Sequence, residues 1–277
     1  MRCDLHMHST VSDGSLPVEA LVEAVAQAGV GVFALTDHDS VDGLDAARAH
    51  ASRRGITLIN GVEISTRHDQ SELHILGYGF DPQHPLLREK LAGQRAAREA
   101  RIPMLVARLN ELGVRIAEAD VLRVAAGANP GRPHVARALV ELGQVRDTDE
   151  AFRRYLGDSG PANVRKLVPS PREAIAWIHA AGGKAVWAHP LARPVVRQGG
   201  FDRMVRELRD DGLDGLEEVH PSQDPGVRRR IRTLARELGM RLSGGSDFHG
   251  AATPGVTIGR GRGRDRVDVA VVEALLA

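Results

Sequence analysis

The run Val32-Phe33-Ala34-Leu35-Thr36-Asp37-His38-Asp39 decides the fold. Val32 to Thr36 is short, apolar and rich in β-formers, which reads as a buried strand rather than a helix. Directly behind it stand Asp37, His38 and Asp39, three titratable side chains at the strand's end. A helical stretch from Leu44 to Arg54, closed by Gly55, comes next, and a second β-rich run covers Thr57 to Ser65. Strand, helix and strand in this order form a βα repeat of a parallel sheet. Working outward, Cys3 to Ser9 reads as an earlier strand. Pro17 to Ala28 reads as an amphipathic helix, with Ser15 available as its cap and Gly29 as its stop. Leu73 to Phe80 reads as a fourth strand.

The pattern changes at Asp81-Pro82. From about residue 84 to 157 the apolar residues keep helical spacing, as in Leu86, Leu87, Leu91 and then Ile102, Leu105, Val106, Leu109, Leu112. Pro103 is expected to kink or divide this long helix. Further helices are expected at Glu118 to Ala125, Pro133 to Leu142 and Thr148 to Tyr155. Gly160-Pro161 and Pro169-Ser170-Pro171 mark a boundary, after which the alternation returns. Helices at 171–181, 201–210 and 225–238 separate strands at Lys184 to His189, Gly215 to His220 and Arg241 to Ser246. The expectation is an α/β body, residues 1–81 and 169–277, interrupted by an all-helical insertion (cap) domain, 82–168. About 190 residues is short for eight βα units, which take roughly 250. A distorted, seven-unit TIM-like barrel fits better.

Composition bounds the function. In 277 residues, 42% hydrophobic and 26% charged side chains describe an ordinary soluble enzyme, not a disordered or fibrous chain. No apolar run approaches the length of a membrane span, and no apolar leader follows Met1, so the expected compartment is the cytoplasm. Cys3, the single cysteine, excludes an intramolecular disulfide and a thiolate metal cluster. Thirty-seven basic against 36 acidic residues leave a charge of +1, with no field to hold a nucleic-acid duplex. Lysine occurs only as Lys90, Lys166 and Lys184. The arginine bias suits bidentate phosphate binding, although a GC-rich coding bias produces it equally. Aromatic residues at 3% argue against stacking platforms for single strands. Twelve histidines are the unusual quantity.

Their positions give them meaning. His6 and His8 lie two apart on a strand and share one face, so both can reach one ion. Asp13 follows in a Gly/Ser turn. His38 ends the second strand, Glu63 lies in the third and His74 in the fourth, while His189, Asp247 and His249 sit where later strands end. In a parallel barrel such ends converge on one mouth. Six imidazoles and three carboxylates exceed what one catalytic ion uses, so more than one ion is expected. Nitrogen and oxygen ligands without thiolate favour Mn²⁺, Fe²⁺ or Zn²⁺ over Mg²⁺ or Ca²⁺. An excess of positive charge at such a site suits a phosphate dianion.

These residues resemble the polymerase and histidinol phosphatase (PHP) family. The matching pieces are His6-Met7-His8-Ser9 through Asp13-Gly14, Leu35 to Asp39, Gly61-Val62-Glu63-Ile64-Ser65, His74 to Tyr78, Ala188-His189-Pro190 and Gly245-Ser246-Asp247-Phe248-His249-Gly250. The resemblance implies a distorted seven-stranded PHP barrel holding a trinuclear centre. Carried over, His6, His8, Glu63 and Asp247 would hold the first ion. Glu63 as a bridge, with His74 and His189, would hold the second. Asp13, His38 and His249 would hold the third. Two or three divalent ions per chain are therefore expected, Mn²⁺ first.

Gly131 to Leu139, Tyr155-Leu156-Gly157 and Gly182-Gly183-Lys184-Ala185-Val186 resemble the stand-alone branch of that family. This resemblance implies a phosphatase that removes the 3′-phosphate of nucleoside 3′,5′-bisphosphates such as adenosine 3′,5′-bisphosphate. The alternative is a 5′→3′ exoribonuclease on short 5′-phosphorylated oligonucleotides, and a third reading is an inert metal-binding accessory module. Arg132, His134, Arg165 and Lys166 are candidates for substrate phosphates, against a reading as solvated helix and surface charge. Glu217, Glu218 and His220 end another strand near the same mouth; His220 is a candidate for phosphate binding or for protonating the leaving group, and Asp247 for a catalytic role besides ligation. Asp37 and Asp39 are candidate acceptors for ligand imidazoles. His50, His68, His84 and His179 read as structural or surface residues. The expected partners are a small nucleotide or a short oligonucleotide, with no duplex, no membrane and no obligate protein partner.

Overall fold

Among the described residues, eight strands form one sheet in the order β7-β6-β5-β4-β3-β2-β1-β8. They are β1 Arg2–Asp4, β2 Val32–Leu35, β3 Thr57–His68, β4 Ser71–Tyr78, β5 Lys184–Trp187, β6 Gly215–Val219, β7 Arg241–Gly244 and β8 Val267–Asp268. The computed structural model describes residues 1–69, 71–157, 159–165, 167–190, 200–263 and 265–277. Past their last regular residues, the chains that continue β1 and β7 pair with each other. Leu5 N–H donates to the Gly244 carbonyl at 3.2 Å, Asp247 N–H to that of His6 at 2.8 Å, and His8 N–H to that of Phe248 at 2.9 Å. This parallel contact, with Met7 opposite Phe248, nearly closes the sheet into a barrel. The two-residue β8, antiparallel to β1, raises the expected seven strands to eight.

The neighbours β1–β2, β2–β3, β5–β6 and β6–β7 are parallel. β4 is the departure, running antiparallel to both β3 and β5. A parallel crossover needs a dozen or more residues, and the few between Ser65 and Leu73 permit only a hairpin. The helices are α1 Val18–Gln27, α2 Leu44–Arg54, α7 Pro171–Ala180, α8 Phe201–Asp210, α9 Pro225–Glu237 and α10 Val269–Leu276 on the barrel, with α3 to α6 between β4 and α7. Gly55 closes α2 at φ 63°, as a left-handed C-terminal cap does. Ser15 does not cap α1, whose N-cap position is Pro17. Its hydroxyl instead accepts from Ala251 N–H at 2.8 Å, tying that corner to the turn after His249.

Period-two alternation sorts the strand residues. Val62 and Ile64 of β3, Ile75 of β4 and Trp187 of β5 pack with Leu21, Val25, Ile175, Phe201 and Ile231 from the helices. The opposite faces of β4 and β5 offer Leu76, Tyr78 and Val186, which cluster with Cys3, Leu5, Ala34 and the α10 residues Val272 and Leu275. Glu63 and His74 share that opposite face, so the apolar filling gives way to polar groups.

Contacts divide the chain into residues 1–91 with 169–277, and residues 92–168. The division falls within α3 (Pro85–Glu111), ten residues beyond Asp81, because Leu87 and Leu91 belong to the barrel's hydrophobic cluster. Pro103 does not divide α3, which is one helix of 27 residues. Ile102, Leu105 and Leu109 bury around it with Val135, Leu139 and Leu156, and this packing offsets the lost backbone bond. The second unit adds α4 Glu118–Ala125, α5 Arg132–Glu141 and α6 Thr148–Ala151, the last running into a π-turn at Phe152–Leu156. Among the described residues no helix is long and apolar enough to cross a membrane.

Candidate metal centre

Glu63 is the centre of the polar cluster. It is 1% exposed, and five imidazoles face its carboxylate. On Oε2 stand His6 Nε2 at 3.2 Å, His8 Nε2 at 3.1 Å and His38 Nδ1 at 3.2 Å; on Oε1 stand His74 Nδ1 at 2.8 Å and His189 Nε2 at 3.1 Å. Asp247 Oδ1 lies 3.3 Å from both His6 Nε2 and His8 Nε2. Beyond His8, Asp13 Oδ1 lies 3.3 Å from His249 Nε2, and Asp13 Oδ2 3.8 Å from His38 Nε2. The structure thus brings together all nine groups read from the sequence. Among the described residues three sets have ligand atoms within 4.8 Å of one another: His6, His8, Glu63 and Asp247; His38, Glu63 and His74; and His8, Asp13, His38 and His249.

The donor set fits divalent ions. His8 Nε2 and Asp247 Oδ1 are buried and reach hydrogen-bond geometry with no partner, although they stand 3.3 Å apart. Ligands about 2.0–2.2 Å from one ion lie about 3.0–3.6 Å from each other, which is the spacing seen here. Three imidazoles on a single carboxylate oxygen are more donors than its lone pairs accept, so hydrogen bonding alone does not account for the cluster.

Electrostatics agree. Burial opposes ionisation of Glu63, yet His38, His74 and His6 hold its carboxyl well below the usual range. Asp13 and Asp247 are likewise held low against burial, the first by His38 and His249, the second by His6 and His249. Burial works against protonation of His8, but Asp247 and Glu63 push it up to about 10; Glu63 pushes His74, also buried, to about 9. For His189 burial prevails and its value falls. In the metal-free protein several imidazoles therefore carry protons where cations would sit.

The backbone is shaped around this cluster. Asp39, His189 and Asp247 hold φ of 53°, 32° and 51°, uncommon for residues with side chains. Each costs about 1–3 kcal/mol and persists only where the surroundings enforce it. Gly245 permits the close approach of β7's end to His6, since a Cβ there would lie 2.4 Å from His6 Cβ. Asp4, fully buried, accepts from the N–H groups of His6, Ser246 and Gly259 at 3.2, 2.9 and 2.7 Å, fixing both ends of that contact.

Other candidates take different places. Asp37 accepts from Ser9 N–H and from the hydroxyls of Ser9 and Ser12, and Asp39 from Ser65 N–H and its hydroxyl. These carboxylates hold loops. Among the described residues, Glu217 Oε1 lies 2.9 Å from His6 Nδ1, and Glu72 Oε1 lies 3.7 Å from His74 Nε2, so these two carboxylates meet ligand imidazoles. Glu217 was legible as a strand-end acid, but its bond to His6 required the barrel to be closed. His220 stands at the rim, with Nε2 3.2 Å from Asp247 Oδ2 and Nδ1 2.7 Å from Ser222 Oγ. In the helical unit, His134 is buried and its Nδ1 accepts from Gly131 N–H at 3.0 Å, while Arg132 donates to the Leu156 carbonyl at 3.2 Å. Arg165 is among the described residues; Lys166 lies outside them. His179 pairs with Asp214 at 2.7 Å and His68 with Glu207 at 3.3 Å, both away from the cluster.

A PHP-domain family model matches residues 4–114. The 5′-3′ exoribonuclease Rnm of Salmonella typhimurium is 39% identical over 259 residues, 93% of this chain and 88% of its own length. The 3′,5′-nucleoside bisphosphate phosphatase of Chromobacterium violaceum is 35% identical over 268 residues, 92% of this chain and 90% of its own. Among solved structures, a candidate metal-dependent phosphoesterase from Bifidobacterium adolescentis superposes with a TM-score of 0.88 at 32% identity, covering 99% of this chain and 95% of its own.

Proposed function

The chain belongs to the PHP-domain metal-dependent phosphoesterases, and from that membership we propose that it cleaves the bond between phosphorus and the 3′-oxygen of a nucleotide bearing a 5′-phosphate. The preferred substrate is a nucleoside 3′,5′-bisphosphate such as adenosine 3′,5′-bisphosphate, which yields the nucleoside 5′-monophosphate and phosphate. The observation that supports metal-dependent cleavage is the five imidazoles within 2.8–3.2 Å of the Glu63 carboxylate; the choice of substrate rests on the 35% identity to an enzyme named a 3′,5′-nucleoside bisphosphate phosphatase.

The first ion is assigned to His6, His8, Glu63 and Asp247, the second to Glu63, His74 and His189, and the third to Asp13, His38 and His249. Mn²⁺ is the proposed metal, with Fe²⁺ or Zn²⁺ as alternatives. Divalent ions there would supply Lewis acidity toward the phosphoryl oxygens and activate a water at neutral pH. The protein's own part is positioning and proton transfer. His220 Nε2, held against Asp247 Oδ2 at 3.2 Å, is assigned the proton that the departing 3′-oxygen takes as its bond to phosphorus breaks. Arg132, Arg165, Lys166 and His220 are proposed to meet the substrate's phosphates, with His134 holding the first turn of the helix that carries Arg132.

A second reading, 5′→3′ exoribonuclease action on short oligonucleotides, is favoured by the 39% identity to an enzyme of that name. It would break the same phosphorus–3′-oxygen bond, with the rest of the strand on the phosphorus. The test offers adenosine 3′,5′-bisphosphate and a 5′-phosphorylated RNA trimer at matched concentration to the Mn²⁺-loaded protein. Fast release of phosphate and adenosine 5′-monophosphate from the first alone supports the phosphatase reading. Efficient stepwise loss of 5′-nucleotides from the trimer replaces it with the exonuclease.

A further inference from the structure

Glu217 is fully buried in β6, and its two oxygens serve the chain just beyond two different strands, β1 and β5. Oε1 lies 2.9 Å from His6 Nδ1, and Oε2 accepts the backbone N–H of His189 at 2.7 Å. The first contact sets a tautomer. A carboxylate can only accept, so His6 keeps a proton on Nδ1 and offers Nε2, which faces Glu63 and Asp247, as its ligand atom once a metal displaces any proton there. The second contact anchors the backbone of His189, whose φ of 32° needs an outside restraint. From that backbone His189 Nε2 reaches Glu63 Oε1 at 3.1 Å, while His6 Nε2 faces Glu63 Oε2 at 3.2 Å. One acid thus prepares a histidine on each oxygen of the bridging carboxylate. Its own placement is fixed in turn: the Gln223 side-chain amide donates to the Glu217 carbonyl at 3.1 Å, and a register shift in the β6–β7 pairing falls immediately after Glu217.

We propose that Glu217 is a positioning residue that couples the two ions assigned to either side of Glu63, by fixing the His6 tautomer and the His189 backbone together. This rests on the metal-dependent reading above. Neither oxygen of Glu217 can be replaced by an amide nitrogen without cost, because both face N–H donors. In Glu217→Gln one of the two contacts becomes donor against donor, or His6 must move its proton to Nε2 and lose that ligand atom.

The test is a Mn²⁺ titration of metal-free wild-type and E217Q protein, with bound metal counted by elemental analysis and the metal-free melting temperature measured for each. E217Q is expected to bind the ions at Glu63 about 10- to 100-fold more weakly, the range for losing a partner behind a ligand. The ion at Asp13, His38 and His249 should remain. Wild-type affinity and stoichiometry in E217Q would overturn the proposal, and so would a lowered metal-free melting temperature with unchanged metal binding. A wild-type chain that takes up no metal would instead overturn the metal-dependent reading itself. Histidine nitrogen NMR on the Zn²⁺-loaded wild type tests the same point without any variant. His6 should be protonated at Nδ1; a proton on Nε2 would overturn the proposal.

Discussion

At the scale of single residues, Asp247 does three things: it faces His6 and His8 with Oδ1, meets His220 with Oδ2, and holds a left-handed backbone at φ 51°. Asparagine tolerates that backbone and keeps the shape but brings no charge. Asp247→Asn should therefore fold normally by circular dichroism and lose more than ~100-fold in turnover, beyond the usual cost of an outer partner. Near-normal turnover would remove Asp247 from the centre. Protonation gives a second prediction. His8 and His74, pushed up to about 10 and 9 in the metal-free protein, hold protons at pH 8 that ligation must displace. Adding Mn²⁺ at pH 8 in weak buffer should acidify the solution, and affinity should climb as pH approaches 9. The sign for stability is opposite. A raised folded value stabilises fully below the unfolded pKa of about 6.5, so the metal-free fold should weaken from there through pH 9–10. Constant affinity across that window would contradict the assignment. The nine ligand candidates were legible because each is a His, Asp or Glu within a strand, at its end or in the turn beyond it. Glu217 was readable as a strand-end acid but not as His6's partner, since that depends on two strands 211 residues apart.

At the scale of elements, the site depends on how closely β7's end approaches the chain after β1. Gly245→Ala would place a Cβ against His6, and overpacking of this kind costs about 1–3 kcal/mol. Urea denaturation of the metal-free variant should show that loss, together with weaker metal binding; an unchanged midpoint would mean the approach is not tight. Elements with a local signature were legible: α4 and α8 begin and end where periodicity placed them. The sense of β4 was not read, because alternation marks a strand but not its direction; the short link after β3 carried that signal. The division expected at Pro103 does not occur, since tertiary packing around Ile102 and Leu105 carries α3 through it. β8 and α10 went unread, although Asp268 is a capping residue whose side chain accepts from Ala270 N–H at 3.0 Å.

At the scale of the molecule, the two units have separate cores. Leu139 is buried among Leu105, Leu109 and Val135 of the helical unit, whereas every assigned metal ligand belongs to the barrel. Leu139→Ala should cost about 2–5 kcal/mol, read by hydrogen exchange as faster opening within residues 92–168, with Mn²⁺ affinity unchanged. A parallel loss of metal affinity would contradict the separation. The central claim is that Glu63 sits at the heart of a multinuclear centre. It is tested most directly by anomalous diffraction at the manganese edge from crystals of the Mn²⁺-loaded protein. The account predicts one peak on each side of the Glu63 carboxylate, the first also touching His6, His8 and Asp247 and the second His74 and His189, with a third peak among Asp13, His38 and His249. Manganese bound only elsewhere, with no peak touching Glu63, would contradict it.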